Sequence, residues 1–512
     1  MIFYVHQHVF LIDRIFRLDI IISLIITLVL RQDDEPEFNM NFFSFEFLGS
    51  FVGLFLLYWM LQKSAKAQNY LLIIASYLFV FSFNPLFAGI LFGYTLFIYL
   101  LTNIAGKFLS DRITFTILTI GILGCFTAFK YYSFFQESLQ QAFAKFGLSI
   151  DLPILTLLLP LGLSFYVFHS VSYVVSVTRK EIPQASFPDV VLYLCFFPSI
   201  VAGPINRAKD FLPQIQISSR VIIEPSRAIL LIALAITKLF LFSSYLSENY
   251  VNPVFDDPAS YNAGQILVGI YAYAWHIYCN FSGYTNLVTG LALLLGFRVP
   301  ENFNAPYLAE NLQAFWRRWH ISLSEFIRDY VYISFGGNKQ GFIRKNLNLF
   351  AAMVISGLWH GAGINFIIWG AIHGLGLIIL NVKYQLFSSK NKKNENTPKN
   401  PVTSFLSRVT TFHFVCLAWI FFRCPTLDDA LTLLNQLIST DLFHSIIANG
   451  GLLLMFWGLF IIYPWLINLK IAVGKIHSQI SWRYYPIPLA IILTLVFMLS
   501  PQGMPGFIYA NF

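Results

Sequence analysis

His360 lies in the run Gly357-Leu358-Trp359-His360-Gly361-Ala362-Gly363, within an apolar part of a 512-residue chain. An ionisable side chain in such a setting is costly and is read first as functional. Imidazole titrates near neutrality, so His360 suits general acid–base work on a hydroxyl. The flanking glycines would allow close approach of a substrate, and Trp359 could exclude water or stack on a sugar ring. The competing reading is a histidine that hydrogen-bonds a neighbouring carbonyl and glues helices together. A second histidine, His320, sits in Phe315-Trp316-Arg317-Arg318-Trp319-His320-Ile321-Ser322-Leu323-Ser324. Tryptophan beside arginine suits the membrane–water interface, with arginine offered to phosphates. The Ser-x-Ser predicts a cap for a helix running through Phe326 to Tyr330. Such a stretch is either a mouth for a phosphorylated or carrier-bound donor or an interfacial anchor, and local residues leave both open.

The remaining candidates are weaker. His373 follows His360 by thirteen residues, which on one continuous helix puts it about 220° round the axis and off the shared face. His169, His276 and His413 are single histidines in apolar helices, where a structural role is usual. The five cysteines (Cys125, Cys195, Cys279, Cys416, Cys424) show no CxxC or Cys/His ligand spacing, so neither a metal centre nor a disulfide framework is expected. No Gly-rich phosphate loop, HExxH or GxSxG elbow occurs, and nothing points to a covalent serine enzyme.

Elements that position these residues must cross a membrane. The chain is 57% hydrophobic and 11% charged, against about 25% charged in soluble domains. Apolar segments recur through almost its whole length, so one continuous bundle is expected rather than several soluble domains. The net charge of +8 sits in short loops, where Lys and Arg mark cytoplasmic faces; no nucleic acid is implied. Candidate segments lie near 44–61, 70–82, 86–105, 113–130, 153–177, 190–202, 228–247, 263–279, 283–296, 347–358, 364–381, 409–423, 449–469 and 484–500. A span needs about 20 residues, so 190–202, 283–296 and 347–358 are short and must be buried by protein. The basic stretches 310–346 and 382–408 are expected in the cytoplasm. Between them, 347–381 must enter the membrane and return, which puts the turn at 357–363, and His360 with it, deep in the bundle. Residues 1–39 end in the acidic Asp33-Asp34-Glu35-Pro36-Glu37 and lack a small-residue cleavage site. They are expected to be an N-terminal extension from an early start codon, ahead of a single domain over 40–512.

Several longer motifs carry a resemblance: FFPSIVAGPINRAKDFLPQI (196–215), FSGYTNLVTGLALLLGFRVPENFNAPYL (281–308), FWRRWHISLSEFIRDYVYISFGGNK (315–339), SGLWHGAGINFIIWGAIHG (356–374), WIFFRCPTLDDA (419–430) and the terminal GFIYANF. With these the chain, from about Met40 to its end, resembles the membrane-bound O-acyltransferase (MBOAT) family. It looks most like the branch of alginate O-acetylation proteins (AlgI-like), with teichoic-acid D-alanyl transfer proteins (DltB-like) more distant. Asn280 and Asn286 stand where that branch usually carries carboxylates. The resemblance implies an all-α polytopic membrane protein, a bundle of about 11–13 transmembrane and re-entrant helices around a central tunnel. It implies His360 as the catalytic histidine and His320 as the second family histidine. On that reading Trp319 and Arg318 line the donor entrance with His320. Asn365 and backbone N–H groups near Gly361–Gly363 would stabilise the oxyanion, with Asn365 and Trp359 also expected to bind substrate.

The implied activity is transfer of an acyl group, acetyl above all, from a cytoplasmic thioester (acetyl-CoA or a carrier-bound thioester) toward an extracytoplasmic glycan. No bound cofactor is expected. The branch further implies the bacterial inner membrane, contact with membrane lipids, and an extracytoplasmic SGNH-type acetyltransferase partner. A D-alanyl transferase is the nearest alternative. A transporter would also bury histidines but should show an internal repeat, and none is evident. A non-enzymatic assembly subunit would tolerate loss of His360.

Overall fold

The computed structural model describes residues 42–499 apart from short gaps, the longest at 146–161 and 388–399. The extension expected over 1–39 and the terminal Gly-Phe-Ile-Tyr-Ala-Asn-Phe run lie outside the described residues. Among those residues the regular structure is helical, with two isolated β-bridges.

The first helices follow the apolar segments closely. They are α1 Phe45–Met60, α2 Ala65–Phe83, α3 Pro85–Ile104 and α4 Asp111–Phe126, the last continuing as a π-helical turn over Thr127–Tyr131. Polar residues punctuate them. The Ser64 hydroxyl accepts from Ala67 N–H to open α2, and Asn84 accepts from Leu86 N–H to open α3, with Pro85 in its first turn. Next come α5 Leu163–Thr178 and the short α6 Phe187–Cys195 and α7 Ala208–Ile215. Most of α6 is buried against protein, as a segment too short to face lipid alone requires.

A long helical rod, α8 Pro225–Ile236 and its π-rich continuation to Asp256, packs beside α9, Ala263–Leu294. The separate segments expected over 263–279 and 283–296 are in fact this one 32-residue helix. Gly283 does not break it; a Cβ there would stand 2.7 Å from Leu239 Cγ, so the glycine admits the α8 extension. Then follow α10 Ile321–Phe326, α11 Gly341–His360, α12 Ile364–Phe387, α13 Pro401–Arg423, α14 Leu427–Leu437, α15 Gly450–Gln479 and α16 Pro486–Leu499.

Among the described residues, six helices are long and apolar enough to cross a membrane: α3, α4 with its π turn, α8 with its extension, α12, α13 and α15. The chain is an all-helical membrane protein. Both basic stretches contain more helix than expected. The first holds α10 and the start of α11. The second begins inside α12 and ends inside α13, and Ser404 of α13 donates to Glu310 (2.6 Å), tying one stretch to the other. The hairpin arms are also longer than the 347–381 reading. They cover 20 and 24 residues, leaving only Gly361–Gly363 as the turn.

Candidate active site

The hairpin turn is built by backbone approach. A Cβ on Gly357 would lie 2.1 Å from Phe366 O, and one on Gly370 would lie 2.5 Å from Met353 O. These glycines therefore bring α11 and α12 together. Gly361 faces the Phe366 ring at 2.0 Å from its would-be Cβ. The space expected for a substrate is taken by the chain's own phenylalanine.

His360 ends α11 and is 3% exposed. Its ring is ringed by aromatics, with centroids 4.6 Å from Trp359, 5.0 Å from Trp369 and 5.0 Å from Phe422. Below it, Lys130 reaches across from the π turn after α4. Its Nζ donates to Trp359 O (2.5 Å) and His360 O (3.4 Å), while Tyr131 donates to Leu358 O (2.7 Å). These are carbonyls that the last turn of a helix leaves without intrahelical donors, and they carry its negative pole.

His320 caps α10 with φ 42°, a left-handed conformation uncommon outside glycine, though histidine, asparagine and aspartate adopt it more often than other residues. The Ser-x-Ser does not cap this helix. Ser322 and Ser324 lie inside it, and the strained turn is held by its neighbours instead. Ile321 N–H donates to Asn302 O (3.0 Å), Asn304 N–H to Arg318 O (3.0 Å), and Phe303 bridges Trp319. His320 is 1% exposed. Its Nδ1 is 3.2 Å from Asn302 Oδ1, and its ring lies 4.6 Å from Phe281 and 6.3 Å from Trp359. The two histidines thus share contact with one tryptophan, although forty residues separate them.

A groove of about 410 Å³ opens beside this pair. Arg317, Arg328 and Lys345 supply cations to its lining. Leu349, Ala352, Met353 and Leu377 supply an apolar wall, and Ser356, one turn before His360, also lines it. Trp316 and Arg317 line this groove, whereas Trp319 and Arg318, expected at a donor entrance, do not. Trp319 points inward, 1% exposed, stacked on Phe315 (5.7 Å) and packed on Trp419 (5.1 Å). Arg318 donates to Asn304 O (3.1 Å). In a turn with φ 42°, successive side chains do not follow helical spacing, so the choice between neighbours cannot be read from the pattern. Asn365 lies buried near the turn, and its Nδ2 donates to Cys424 O (2.7 Å), pinning α12 to the end of α13.

Three contributors escaped the sequence reading. Lys130 is the last residue of the apolar segment 113–130 and belongs to no motif. Asn302 is neutral and belongs to no pattern of titratable groups. His373 was set aside on a one-helix calculation. In the folded hairpin, Trp369 lies 5.0 Å from His360 and 5.0 Å from His373, joining both to one aromatic cluster. The other histidines have structural bonds. His169 Nε2 accepts from Asn206 N–H, His276 Nδ1 donates to Ser243 O, and His413 donates to Val409 O while accepting from Tyr271. No group of three or more His, Cys, Asp or Glu among the described residues is placed to hold a metal ion.

Fold and site define a polytopic membrane protein with two buried imidazoles near a groove lined by Arg317, Arg328 and Lys345. Residues 55–394 match the MBOAT, membrane-bound O-acyltransferase family. The chain belongs to that family and is an acyltransferase. It is 32% identical over 506 residues to the probable alginate O-acetylase AlgI of Pseudomonas putida, covering 93% of this chain and 100% of that protein. It is 29% identical over 439 residues to the peptidoglycan O-acetyltransferase of Helicobacter pylori, covering 79% and 80%. To the teichoic acid D-alanyltransferase of Bacillus subtilis it is 32% identical over 278 residues, covering 51% and 68%.

Proposed function

We propose that this acyltransferase works in a bacterial inner membrane and takes an acetyl group from a cytoplasmic thioester toward O-acetylation of an extracytoplasmic polysaccharide. The observation that carries the chemistry is the placement of His320 and His360 against the same Trp359 ring. His360 acts as general base. It takes the proton of the attacking hydroxyl, whose oxygen bonds to the thioester carbonyl carbon. The carbon–sulfur bond then breaks, and the departing thiolate receives the proton. General-base assistance of this kind contributes about 10²–10⁴-fold. Holding donor and acceptor end to end in a tunnel closed to water supplies the larger orientation term.

The groove supports a thioester on a phosphorylated arm, as in acetyl-CoA or a carrier protein. Arg317, Arg328 and Lys345 suit its phosphates, and the apolar wall runs to Ser356, one turn before His360 in α11. Coverage of the whole alginate O-acetylase and most of the peptidoglycan O-acetyltransferase supports acetyl and a glycan acceptor. An extracytoplasmic SGNH-type acetyltransferase is the partner that would finish delivery to the polymer.

The test is the ester-linked acyl content of surface polysaccharides in a deletion strain, complemented with wild type or His360→Ala. Acetate should vanish on deletion and return only with wild type. Loss of D-alanine esters instead would move the reaction to D-alanyl transfer, the activity named for the B. subtilis relative. Equal restoration by both versions would make His360 structural.

A further inference from the structure

The surroundings of His320 determine which of its two nitrogens is basic. Asn302 is 1% exposed, and its Oδ1 has three neighbours: Ser322 N at 3.2 Å, Ser322 Oγ at 2.7 Å and His320 Nδ1 at 3.2 Å. A backbone N–H can only donate, so the atom facing Ser322 N must be the carbonyl oxygen of the Asn302 amide. The Ser322 hydroxyl accepts from Ile205 N–H (3.0 Å), which leaves its own proton for Asn302. That oxygen is an acceptor in all three contacts. His320 Nδ1 must therefore carry a hydrogen, and in the neutral ring the lone pair resides on Nε2. The same residue fixes the backbone, since Asn302 O accepts from Ile321 N–H at the strained turn.

We infer that Asn302 is a positioning residue for acyl transfer: it locks His320 as the Nδ1–H tautomer, so that Nε2 is the nitrogen presented to the reaction. The inference rests on the reading of His320 as part of the active centre. At metal sites, partners that orient a histidine through its second nitrogen typically matter about 10–100-fold, and a loss of that order is expected here.

The first readout is independent of activity. Full-length protein labelled with ¹⁵N-histidine is reconstituted in lipid, and His320 is assigned by difference from His320→Asn. Asparagine suits this control because it tolerates the left-handed turn. A protonated-type shift at Nδ1 and an unprotonated-type shift at Nε2 are expected; the reverse pattern overturns the inference. The second readout is transfer from acetyl-CoA in membranes across pH. Asn302→Asp keeps the acceptor but adds charge, which favours the imidazolium, so the acid limb of activity should move to higher pH. Asn302→Leu should lower the rate by at least about tenfold. An unmoved limb in a folded, active Asn302→Asp protein refutes the positioning role. Full activity in His320→Asn instead refutes the reading of His320 and leaves the tautomer to the spectrum.

Discussion

Two carbonyls at the end of α11 share one cation, Lys130, and the imidazole of His360 hangs from the same turn. A cation at a helix C-terminus stabilises it by about 0.3–2 kcal/mol. Lys130→Met should therefore loosen the turn, lowering acyl transfer by roughly fivefold for about 1 kcal/mol, with the protein still folded in detergent. His360→Ala should lower it by about 10²–10⁴-fold; a smaller loss would exclude the base role. Both histidines were legible from residue type within apolar surroundings. Their helpers were not. Lys130 acts on carbonyls more than two hundred positions away, and Asn302 acts through an oxygen that no composition or spacing singles out.

At the scale of elements, glycine is the joint of the α11–α12 hairpin. Gly357 and Gly370 each oppose a backbone atom of the other helix, which cannot rotate away as a side chain would. Gly370→Leu should destabilise by at least the about 1–3 kcal/mol of ordinary overpacking, read as a lowered melting temperature, and activity should fall with it. Glycine 49, where a Cβ meets nothing within 4 Å, is the control position. The element between Ile327 and Tyr332 has a different fastening. Arg207 donates to Asp329 (2.5 Å), and Arg328 donates to the same carboxylate (2.6 Å). Burial pushes the Asp329 carboxyl up, but the bonds from Arg328 and Arg207 outweigh it and hold it below its usual value. A depressed carboxylate stabilises above its unfolded pKa, and that contribution is lost as pH falls through the lower folded value. Wild type and Asp329→Asn should thus converge in thermal stability in acid and separate at neutral pH. Helix existence was legible from apolar runs. Helix ends were harder, because the first turns of α11 hold Arg344, Lys345 and Asn346 and α12 runs on into Lys383, residues that a hydropathy reading assigns to loops.

Across the whole molecule, cations gather along the groove, and a double Arg317→Gln, Lys345→Gln variant, which leaves the Arg328–Asp329 fastening intact, should raise KM for acetyl-CoA while leaving kcat nearly unchanged. Its rate should also lose salt sensitivity, since fewer charges remain to be screened. Equal salt responses in variant and wild type would place the donor elsewhere. The recurrence of apolar segments was enough to foresee a bundle, but not the groove, whose wall combines α10, α11 and α12 through contacts remote in sequence. The glycine contact between α11 and α12 also governs how such a protein can be recombined. Each glycine is matched to a carbonyl on the opposite helix, so the two helices are inherited as one unit. A chimera that exchanges 341–387 as a block between relatives keeps those matches, whereas a crossover at the turn sets foreign side chains against foreign backbone.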